Sequence, residues 1–370
     1  MARLRVGVLF GGQSVEHEVS LISAHSILRA LDATKYEVVP LAITKDGRWL
    51  SRGKAAALLP PGPASFPSEE IELVAESAVA AAGLPRRLLP DLDVVFPVVH
   101  GTNGEDGTVQ GLLELAGIPY VGAGVAASAV GMDKALMKSL FRDAHIPVAR
   151  HLVVLRADFE AGPTATAANI AGDLGLPCFV KPANGGSSVG VSRAHDLAGL
   201  REALELAFRL DRKVLVEEAV AGRELECSVL GNDRPEASAV GEIITGHDFY
   251  DYDAKYRDGS TDLVVPADVP SDVAGRVRTL AKRAFQAIDC AGMARVDCFY
   301  RTADGAVLVN EINTIPGFTP MSMYPRMWEA AGLPYSALLD RLIDLAIQRH
   351  DDRNRSSYDF EAVRRVEAPV

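Results

Sequence analysis

Short apolar runs alternate with helix-like patterns in the first third of the chain. The apolar runs predict four buried strands, RVGVLF (5–10), YEVVPLAIT (36–44), DVVFPVVHG (93–101) and IPYVG (118–122). Apolar positions at helical spacing predict two helices between them, VEHEVSLISAHSILRAL (15–31) and GTVQGLLELAG (107–117). Because strands that alternate with helices usually pair in parallel, we predict an N-terminal parallel α/β domain over residues 1–125.

Two further units are predicted after residue 125. Residues 126–220 indicate a small α+β unit, with helices at 133–146 and near 166–174 and with the strands HLVVL, PCFVKP, VGVSRA and KVLVEEAV. Residues 221–348 predict a third unit, with helices at 271–288 and 335–348 and with the strands ELECSVLG, SAVGEII, MARVDCFY and AVLVNEIN. The polar residues 349–370 are expected to form a loosely ordered tail.

Composition narrows the class of protein. The chain has 370 residues, which fits two or three domains, and carries 38 basic against 49 acidic residues, a formal charge of −11. This charge argues against a nucleic-acid-binding protein, which needs a basic surface. The four cysteines lack metal-ligand or redox spacing and lie in apolar runs, so we expect core thiols in a reduced, cytoplasmic protein. We expect no signal peptide and no contact with a membrane.

Two strands carry polar residues that could hold a divalent cation. In VNEIN, Glu311 and Asn313 are two apart, as are Arg295 and Asp297 in RVD, so each pair shares one face of its strand. Oxygen ligands of this kind suit Mg²⁺ bound to nucleotide phosphates. For either strand alone, a solvated face with ordinary charge pairs is the more common explanation. Two strands with the same spacing favour a site, because buried carboxylates are costly without cations.

The stretch FVKPANGGSSVGVS (179–192) predicts a phosphate site. Lys181 ends a strand, and the glycines that follow allow backbone N–H groups to approach an anion closely. The alternative is a surface hairpin turn. GAGVAA (122–127) loosely matches a dinucleotide-binding pattern, but a structural turn explains it better, since no acidic residue ends a following strand.

At this point the chain resembles a known family. VKPANGGSSVG, VEEAVAGRELECSVLG, MARVDCFY and NEINTIPGFTPMS resemble the ATP-grasp fold, and VLFGGQSVEHEVS, VHGTNGEDGTVQG, MDKALMK and FYDYDAKY resemble the D-alanine–D-alanine ligase family. The resemblance spans about residues 5–345. It implies a three-domain ATP-grasp architecture, a homodimer, and ATP-dependent joining of two D-alanines through an acyl phosphate for peptidoglycan synthesis. It also implies Mg²⁺, with Mn²⁺ as a substitute and K⁺ as an activator.

The resemblance assigns an ATP site and a metal site. Lys134 and Lys181 contact the phosphates, and Lys255 reaches the γ-phosphate from a mobile loop. Around the adenosine, the resemblance places Glu217 on the adenine amino group, Glu218 beside it, Ala219 and Val220 along the ring, and Glu224 on the ribose. Asn310 is a further nucleotide-binding residue. Relatives carry a lysine in place of Glu218, which puts that contact in doubt. Two Mg²⁺ ions are held by Asp297, Glu311 and Asn313.

It also assigns the two D-alanine sites. Glu16 binds the ammonium of the first D-alanine near His100, and Ser187 and Tyr256 hydrogen-bond with Glu16 to close the site. The second D-alanine and the tetrahedral intermediate are bound by Arg295, Gly317 and Ser322. From the residues alone, several have ordinary structural explanations: Glu16 as a helix-start acid, His100 as a strand-end histidine, Ser322 as a helix cap, and Glu217 and Glu218 as a charged strand end.

Two other functions stay open. One is a different ATP-grasp ligase, such as one that forms an ester with D-lactate, although the tyrosine pattern around Tyr256 favours the dipeptide. The other is a catalytically silent nucleotide-binding protein, against which the complete set of phosphate and metal residues argues.

Overall fold

The computed structural model describes residues 3–50, 52–59, 91–245 and 261–356. Its first sheet has the order β3-β2-β1-β4. The strands are β1 (Leu4–Gly11), β2 (Tyr36–Ile43), β3 (Trp49–Leu50) and β4 (Val94–Pro97). β1 pairs in parallel with both β2 and β4, which confirms the predicted parallel sheet, and β3 pairs antiparallel with β2. The predicted fourth strand IPYVG is reduced to a single parallel bridge between Val95 and Tyr120.

The helices α1 (His17–Ala30), α2 (Arg52–Ala57), α3 (Thr108–Ala116) and α4 (Val125–Met132) accompany this sheet. α3 begins after Gly107 and ends before Gly117, both of which adopt left-handed backbone conformations (φ 92° and 64°) that glycine tolerates best. The apolar faces of β1 and α1 pack with the C-terminal part of the chain, since Phe10, Ile27, Tyr324 and Leu342 belong to one buried cluster.

A second, antiparallel sheet has the order β5-β8-β6-β7. It consists of β5 (His151–Leu155), β6 (Cys178–Pro182), β7 (Ser192–Ala194) and β8 (Lys213–Glu218). Its helices are α5 (Lys134–Asp143), α6 (Arg156–Ala161), α7 (Pro163–Leu174) and α8 (Leu197–Leu210). Asp133 caps α5 by accepting hydrogen bonds from the backbone N–H groups of Ala135 and Leu136, which fixes where this lysine-bearing helix begins.

The third sheet, order β11-β10-β9-β12-β13, is also antiparallel. Its strands are β9 (Arg223–Gly231), β10 (Glu236–Thr245), β11 (Thr261–Val264), β12 (Gly292–Arg301) and β13 (Ala306–Asn313). The helices α9 (Ser271–Ala287), α10 (Met323–Ala330) and α11 (Tyr335–Asn354) complete the described chain. No helix in the described ranges has the length and apolarity that crossing a membrane requires. All four cysteines are buried and free, which confirms the expected core thiols.

The last helix is longer than predicted. We expected it to end at residue 348, but α11 continues to Asn354. The side chain of Arg349 stacks on the ring of Tyr120, 4.3 Å from its centroid, and its Nη2 donates a hydrogen bond of 3.1 Å to the Tyr120 carbonyl oxygen. The polarity of 349–354 therefore reflects contacts with the first unit rather than the start of a loose tail. The domain boundaries at residues 125, 220 and 348 stay predictions.

Candidate active site

Two cavities lie side by side between the three sheets. Their volumes are about 710 Å³ and about 470 Å³. Six residues line both cavities and form a common wall: Lys134, Gly185, Gly186, Ser187, Arg295 and Glu311. Every candidate residue of the sequence analysis that the structure describes lines at least one of the two cavities. Lys255 and Tyr256 lie outside the described residues.

The two lysines expected to bind phosphate face the larger cavity. Lys134 Nζ donates a 2.8 Å hydrogen bond to the carbonyl oxygen of Gly185 and lies 3.3 Å from Glu311 Oε2. Lys181, on β6, lies 2.6 Å from Glu217 Oε2. In the antiparallel pair β6–β8, Glu217 is opposite Phe179. Because strand residues two apart share a face, Lys181 is the diagonal neighbour of Glu217.

Glu217 is buried between two lysines. Its second oxygen, Oε1, lies 2.6 Å from the Nζ of Lys138, a residue that the sequence analysis did not select. Burial alone raises the pKa of Glu217, but the ammonium groups of Lys138 and Lys181 outweigh it and lower the pKa to about 2. The carboxylate is therefore charged at neutral pH, and both of its oxygens are held in place.

The nearby end of β8 carries Glu218, where the resemblance leads us to expect a lysine. Glu218 accepts hydrogen bonds from the backbone N–H (3.0 Å) and Nε (2.8 Å) of Arg150. Ala219, Val220 and Glu224 continue the wall of the larger cavity. The N–H of Ala219 donates to the Pro177 carbonyl oxygen at 3.3 Å. A local arginine thus balances the charge of Glu218.

We call Arg295, Asp297, Glu311 and Asn313 the strand wall. In the β12–β13 pairing, Asp297 is opposite Glu311 and Arg295 is opposite Asn313. This register confirms that the two predicted pairs share one face. Arg295 donates two 2.7 Å hydrogen bonds to Asp297 and lies 3.1 Å from Glu226 on β9. Burial alone lowers the pKa of Arg295, but Asp297 and Glu226 outweigh it and hold the pKa well above its usual value.

The strand wall has the donor chemistry of a hard cation site. Asp297 and Glu311 supply carboxylates from adjacent strands, and Asn313 supplies an amide oxygen, which now accepts a 3.1 Å hydrogen bond from the Ile315 N–H. This donor set of two carboxylates and one amide oxygen fits an ion such as Mg²⁺ that takes its remaining oxygen ligands from phosphate or water. Within the described ranges, no group of three or more His, Cys, Asp or Glu side chains could hold a metal ion.

We call Glu16, Gly101, Gly186 and Ser187 the loop wall. Glu16 precedes α1, and its carboxylate accepts a hydrogen bond from the hydroxyl of Ser187 in the glycine loop. An ideal Cβ at either Gly101 or Gly186 would lie 2.9 Å from Glu16 Oε2, so both glycines make room for this carboxylate. Ser187 and Ser188 have left-handed backbone conformations, φ 48° and 58°, which shape the loop. The expected contact between Ser187 and Glu16 is therefore present.

His100 and Glu105 are buried beside Glu16. The ring of His100 donates from Nδ1 to the Ile315 carbonyl oxygen at 3.0 Å, and its Nε2 lies 3.3 Å from the Ser23 hydroxyl. Burial lowers the pKa of His100, although the Glu16 carboxylate acts against this, so the ring is neutral at pH 7. Glu105 was not selected from the sequence. Burial and the Glu16 charge raise the pKa of Glu105 to about 8, despite a 2.8 Å hydrogen bond from the Gly101 N–H.

Gly317 and Ser322 lie together at the far end of the smaller cavity. Ser322 occupies the N-cap position of α10, but its side chain makes no capping bond with that helix. Instead its hydroxyl oxygen accepts a 3.0 Å hydrogen bond from the Thr319 N–H. An ideal Cβ at position 317 would lie 2.7 Å from Ser322 Oγ, so only glycine fits there without a shift. The helix-cap explanation of Ser322 is therefore wrong for its side chain.

The sequence analysis missed Lys138, Glu105 and Glu226, which are all buried. Each is a charged residue within an apolar helix or strand or, for Glu105, in a glycine-rich turn. Lys138 carried the clearest signal, because it follows Lys134 by four residues and so shares its helix face.

Known proteins with similar sequences and structures support one family. Residues 5–123 match the family described as D-ala D-ala ligase N-terminus, and residues 140–344 match D-ala D-ala ligase C-terminus. A D-alanine–D-alanine ligase from Geobacillus kaustophilus is 45% identical over 98% of this chain and 100% of its own length.

Two solved structures are also similar. The D-alanine–D-alanine ligase from Coxiella burnetii superimposes with a TM-score of 0.80 at 40% identity, covering 96% of this chain and 97% of that one. The VanG D-Ala:D-Ser ligase from Enterococcus faecalis gives a TM-score of 0.78 at 35% identity, covering 93% and 100%. The two family matches and the full-length relatives agree, and the chain belongs to the D-alanine–D-alanine ligase family.

Proposed function

We propose that this protein is an ATP-dependent ligase that joins two D-alanines into D-alanyl-D-alanine, through an acyl phosphate, for peptidoglycan synthesis. The observation that carries the proposal is the common wall of the two cavities. Lys134, Arg295 and Glu311 face both spaces, so a phosphate in the larger cavity and a carboxylate in the smaller one can meet at charged groups. The family of the chain supports the choice of substrates.

The larger cavity takes ATP. Lys134 and Lys181 contact its phosphates, with Lys255, which lies outside the described residues. The adenine contacts are assigned to Glu217, Glu218, the Ala219 carbonyl oxygen and Val220, with Glu224 on the ribose and Asn310 beside Lys181. A carboxylate attacking a triphosphate brings two anions together, so positive groups fixed in advance are the main source of rate acceleration.

Asp297, Glu311 and Asn313 would hold two Mg²⁺ ions, or Mn²⁺ in their place. Such ions would supply positive charge to the nucleotide phosphates. Asp297 accepts a hydrogen bond from Arg295, and Glu311 lies 3.3 Å from Lys134. These two cations hold the ligand carboxylates in position.

The smaller cavity takes the two D-alanines. Glu16 binds the ammonium of the first D-alanine, beside a neutral His100. The carboxylate of this D-alanine points at the γ-phosphate. Ser187 and Tyr256 hold Glu16 and close the loops, which keeps water from the acyl phosphate. The amine of the second D-alanine then attacks the acyl carbonyl, and phosphate leaves. Arg295 and the Gly317 N–H stabilise the tetrahedral intermediate, and Ser322 with Gly317 binds the second carboxylate.

Further properties are proposed from the family. The enzyme acts in the cytoplasm, where ATP is available and its four buried thiols stay reduced. It is a homodimer with K⁺ as an activator.

The test is a coupled assay of ADP release by the purified protein with ATP and Mg²⁺, and the products are identified by mass. D-Alanine is compared with L-alanine, and with D-lactate and D-serine as second substrates alongside D-alanine. The proposal expects D-alanyl-D-alanine as the main product at neutral pH. Faster turnover with D-lactate or D-serine would mean that the protein is a ligase with a different second substrate. ATP binding without ADP release in any arm would overturn the proposed activity.

A further inference from the structure

Lys138 is a buried lysine that lies behind the wall of the larger cavity. It follows Lys134 by one turn of α5, and its side chain is 1% exposed. Lysine is almost never buried to this extent without a specific partner, because removing an ammonium group from water is costly. Its partners therefore indicate why the position holds a lysine.

Lys138 and its partners Glu217, Lys181 and Asn310 form a closed ring of four residues. The Nζ of Lys138 lies 2.6 Å from Glu217 Oε1 and donates a 2.9 Å hydrogen bond to the Asn310 carbonyl oxygen. Lys181 completes the ring, since its Nζ lies 2.6 Å from Glu217 Oε2 and donates a 3.4 Å hydrogen bond to Asn310 Oδ1. Both lysines thus contact the same carboxylate and the same asparagine, but only Lys181 lines the cavity.

The charges of this ring determine what an anion in the cavity meets. Two ammonium groups against one carboxylate leave one net positive charge. Without Lys138, the carboxylate of Glu217 would cancel the charge of Lys181, and the ring would contribute no net charge toward a phosphate. In a site of low dielectric constant such a difference is large, because charges interact strongly there.

We propose that Lys138 is a positioning residue for nucleotide binding: it neutralises and holds Glu217, so that Lys181 keeps its positive charge and its direction toward the phosphates. This inference rests on the proposed use of ATP. It assigns Lys138 no contact with substrate. This role differs from that of a purely structural ion pair, because it predicts a large effect on ATP affinity and a much smaller effect on the KM for D-alanine.

The experiment measures the ATP dissociation constant by calorimetry, in the presence of Mg²⁺, for full-length wild type, K138M, K138R, E217Q and the double variant K138M/E217Q. Methionine keeps the length of the buried side chain and removes its charge. We expect K138M to weaken ATP binding about 10- to 100-fold, a range typical of truncating one partner of a buried charge pair. K138R, which keeps the charge, is expected to lose less ATP affinity than K138M. The KM for D-alanine is expected to change by no more than about twofold, since no ring member contacts that site.

The double variant distinguishes a positioning role of Lys138 from a purely structural ion pair. In K138M/E217Q neither buried charge is left without its partner and Lys181 keeps its charge, so ATP affinity is expected to return to near that of E217Q alone. The matched control is R142M, which removes an exposed cation from the same helix and is expected to leave ATP affinity unchanged.

Unchanged ATP affinity in K138M overturns the inference. The inference is also overturned if K138M weakens ATP binding and raises the KM for D-alanine equally and the double variant does not recover ATP affinity. Lys138 would then have a purely structural role. Because the readout is binding, it remains decisive if wild type binds ATP but forms no dipeptide. That result would count against the proposed activity alone.

Discussion

The strand wall and the loop wall enclose the same cavities but are built in different ways. The strand wall places its charges by sheet register, with Asp297 opposite Glu311 and each carboxylate near a cation. The loop wall joins segments 171 residues apart, where the Ser187 hydroxyl donates a hydrogen bond to Glu16. The strand wall is fixed by the backbone of a five-stranded sheet, whereas the loop wall depends on side-chain contacts between loops.

This difference suggests a division of labour. Groups that bind phosphate and metal need positions fixed before the substrate arrives, because electrostatic stabilisation is largest when no reorganisation is required. Groups that enclose the first D-alanine must open to admit it and close to exclude water. Substitutions in the strand wall should therefore damage both stability and turnover, and substitutions in the loop wall should act mainly on substrate binding.

The largest effect is expected for Arg295→Met. It removes the guanidinium that contacts the partly buried Asp297 and the buried Glu226, and leaves both carboxylates without it. We expect the free energy of unfolding to fall by about 3–5 kcal/mol, and kcat to fall by about 10²–10³-fold, as for loss of one group that stabilises an oxyanion. Urea denaturation and steady-state kinetics measure the two effects. Arg301→Met is the control, because Arg301 lies at the exposed end of the same strand. Near-wild-type turnover in R295M would contradict the assigned role.

A smaller effect is expected for Glu16→Gln in the loop wall. Glutamine still accepts the hydrogen bond from Ser187 but cannot pair with the ammonium of the first D-alanine. We expect the KM for D-alanine to rise about 10- to 100-fold, with the ATP dissociation constant and the melting temperature almost unchanged. Glu18→Gln is the matched control, since Glu18 is an exposed acid in the first turn of α1 paired with Lys45. If E16Q weakened the binding of ATP and of D-alanine equally, the proposed division of labour between the two walls would be wrong.

Gly186→Ala probes the same contact by steric means. The new methyl group would lie 2.9 Å from Glu16 Oε2, closer than carbon and oxygen normally approach, so the carboxylate must shift. We expect the KM for D-alanine to rise about tenfold, in line with the cost of a small misplacement at a reacting centre. Gly185→Ala is the comparison, because its new methyl would meet the nearest atom, Pro182 Cβ, at an ordinary 3.6 Å. The prediction fails if the two variants have the same KM.

The sequence allowed accurate prediction where local pattern determines position. Residues two apart on a strand must share a face, so the pairs Arg295–Asp297 and Glu311–Asn313 could be identified from spacing alone. The resemblance then supplied Glu16 and His100, whose partners Ser187 and Ile315 are far away in sequence, and Ser322, whose neighbours Gly317 and Thr319 are close. Lys138 and Glu105 were missed because burial of a charge depends on partners from other elements. IPYVG reads as a strand, but its pairing is limited to one bridge.

The smallest effect on catalysis is expected at Glu105, which shows a last contrast between the walls. The strand-wall carboxylates lie near cations, but no cation contacts Glu105 among the described residues, and its Oε1 has no hydrogen-bond partner there. Its pKa is raised from 4.5 to about 8, so the folded protein keeps a proton that the unfolded chain loses. Between these values, rising pH therefore lowers the stability of wild type.

Glu105→Gln removes this dependence, since glutamine is neutral in both states and still accepts from the Gly101 N–H. Each unit of pKa difference corresponds to about 1.4 kcal/mol, so E105Q should gain up to a few kcal/mol over wild type between about pH 5 and about pH 8. Urea denaturation across this range measures the difference, with the exposed Glu202→Gln as control. An advantage of E105Q that stays constant with pH would mean that Glu105 is ionised in the folded protein. A buried negative charge would then lie beside Glu16, where the ammonium of D-alanine, rather than a protein cation, compensates it.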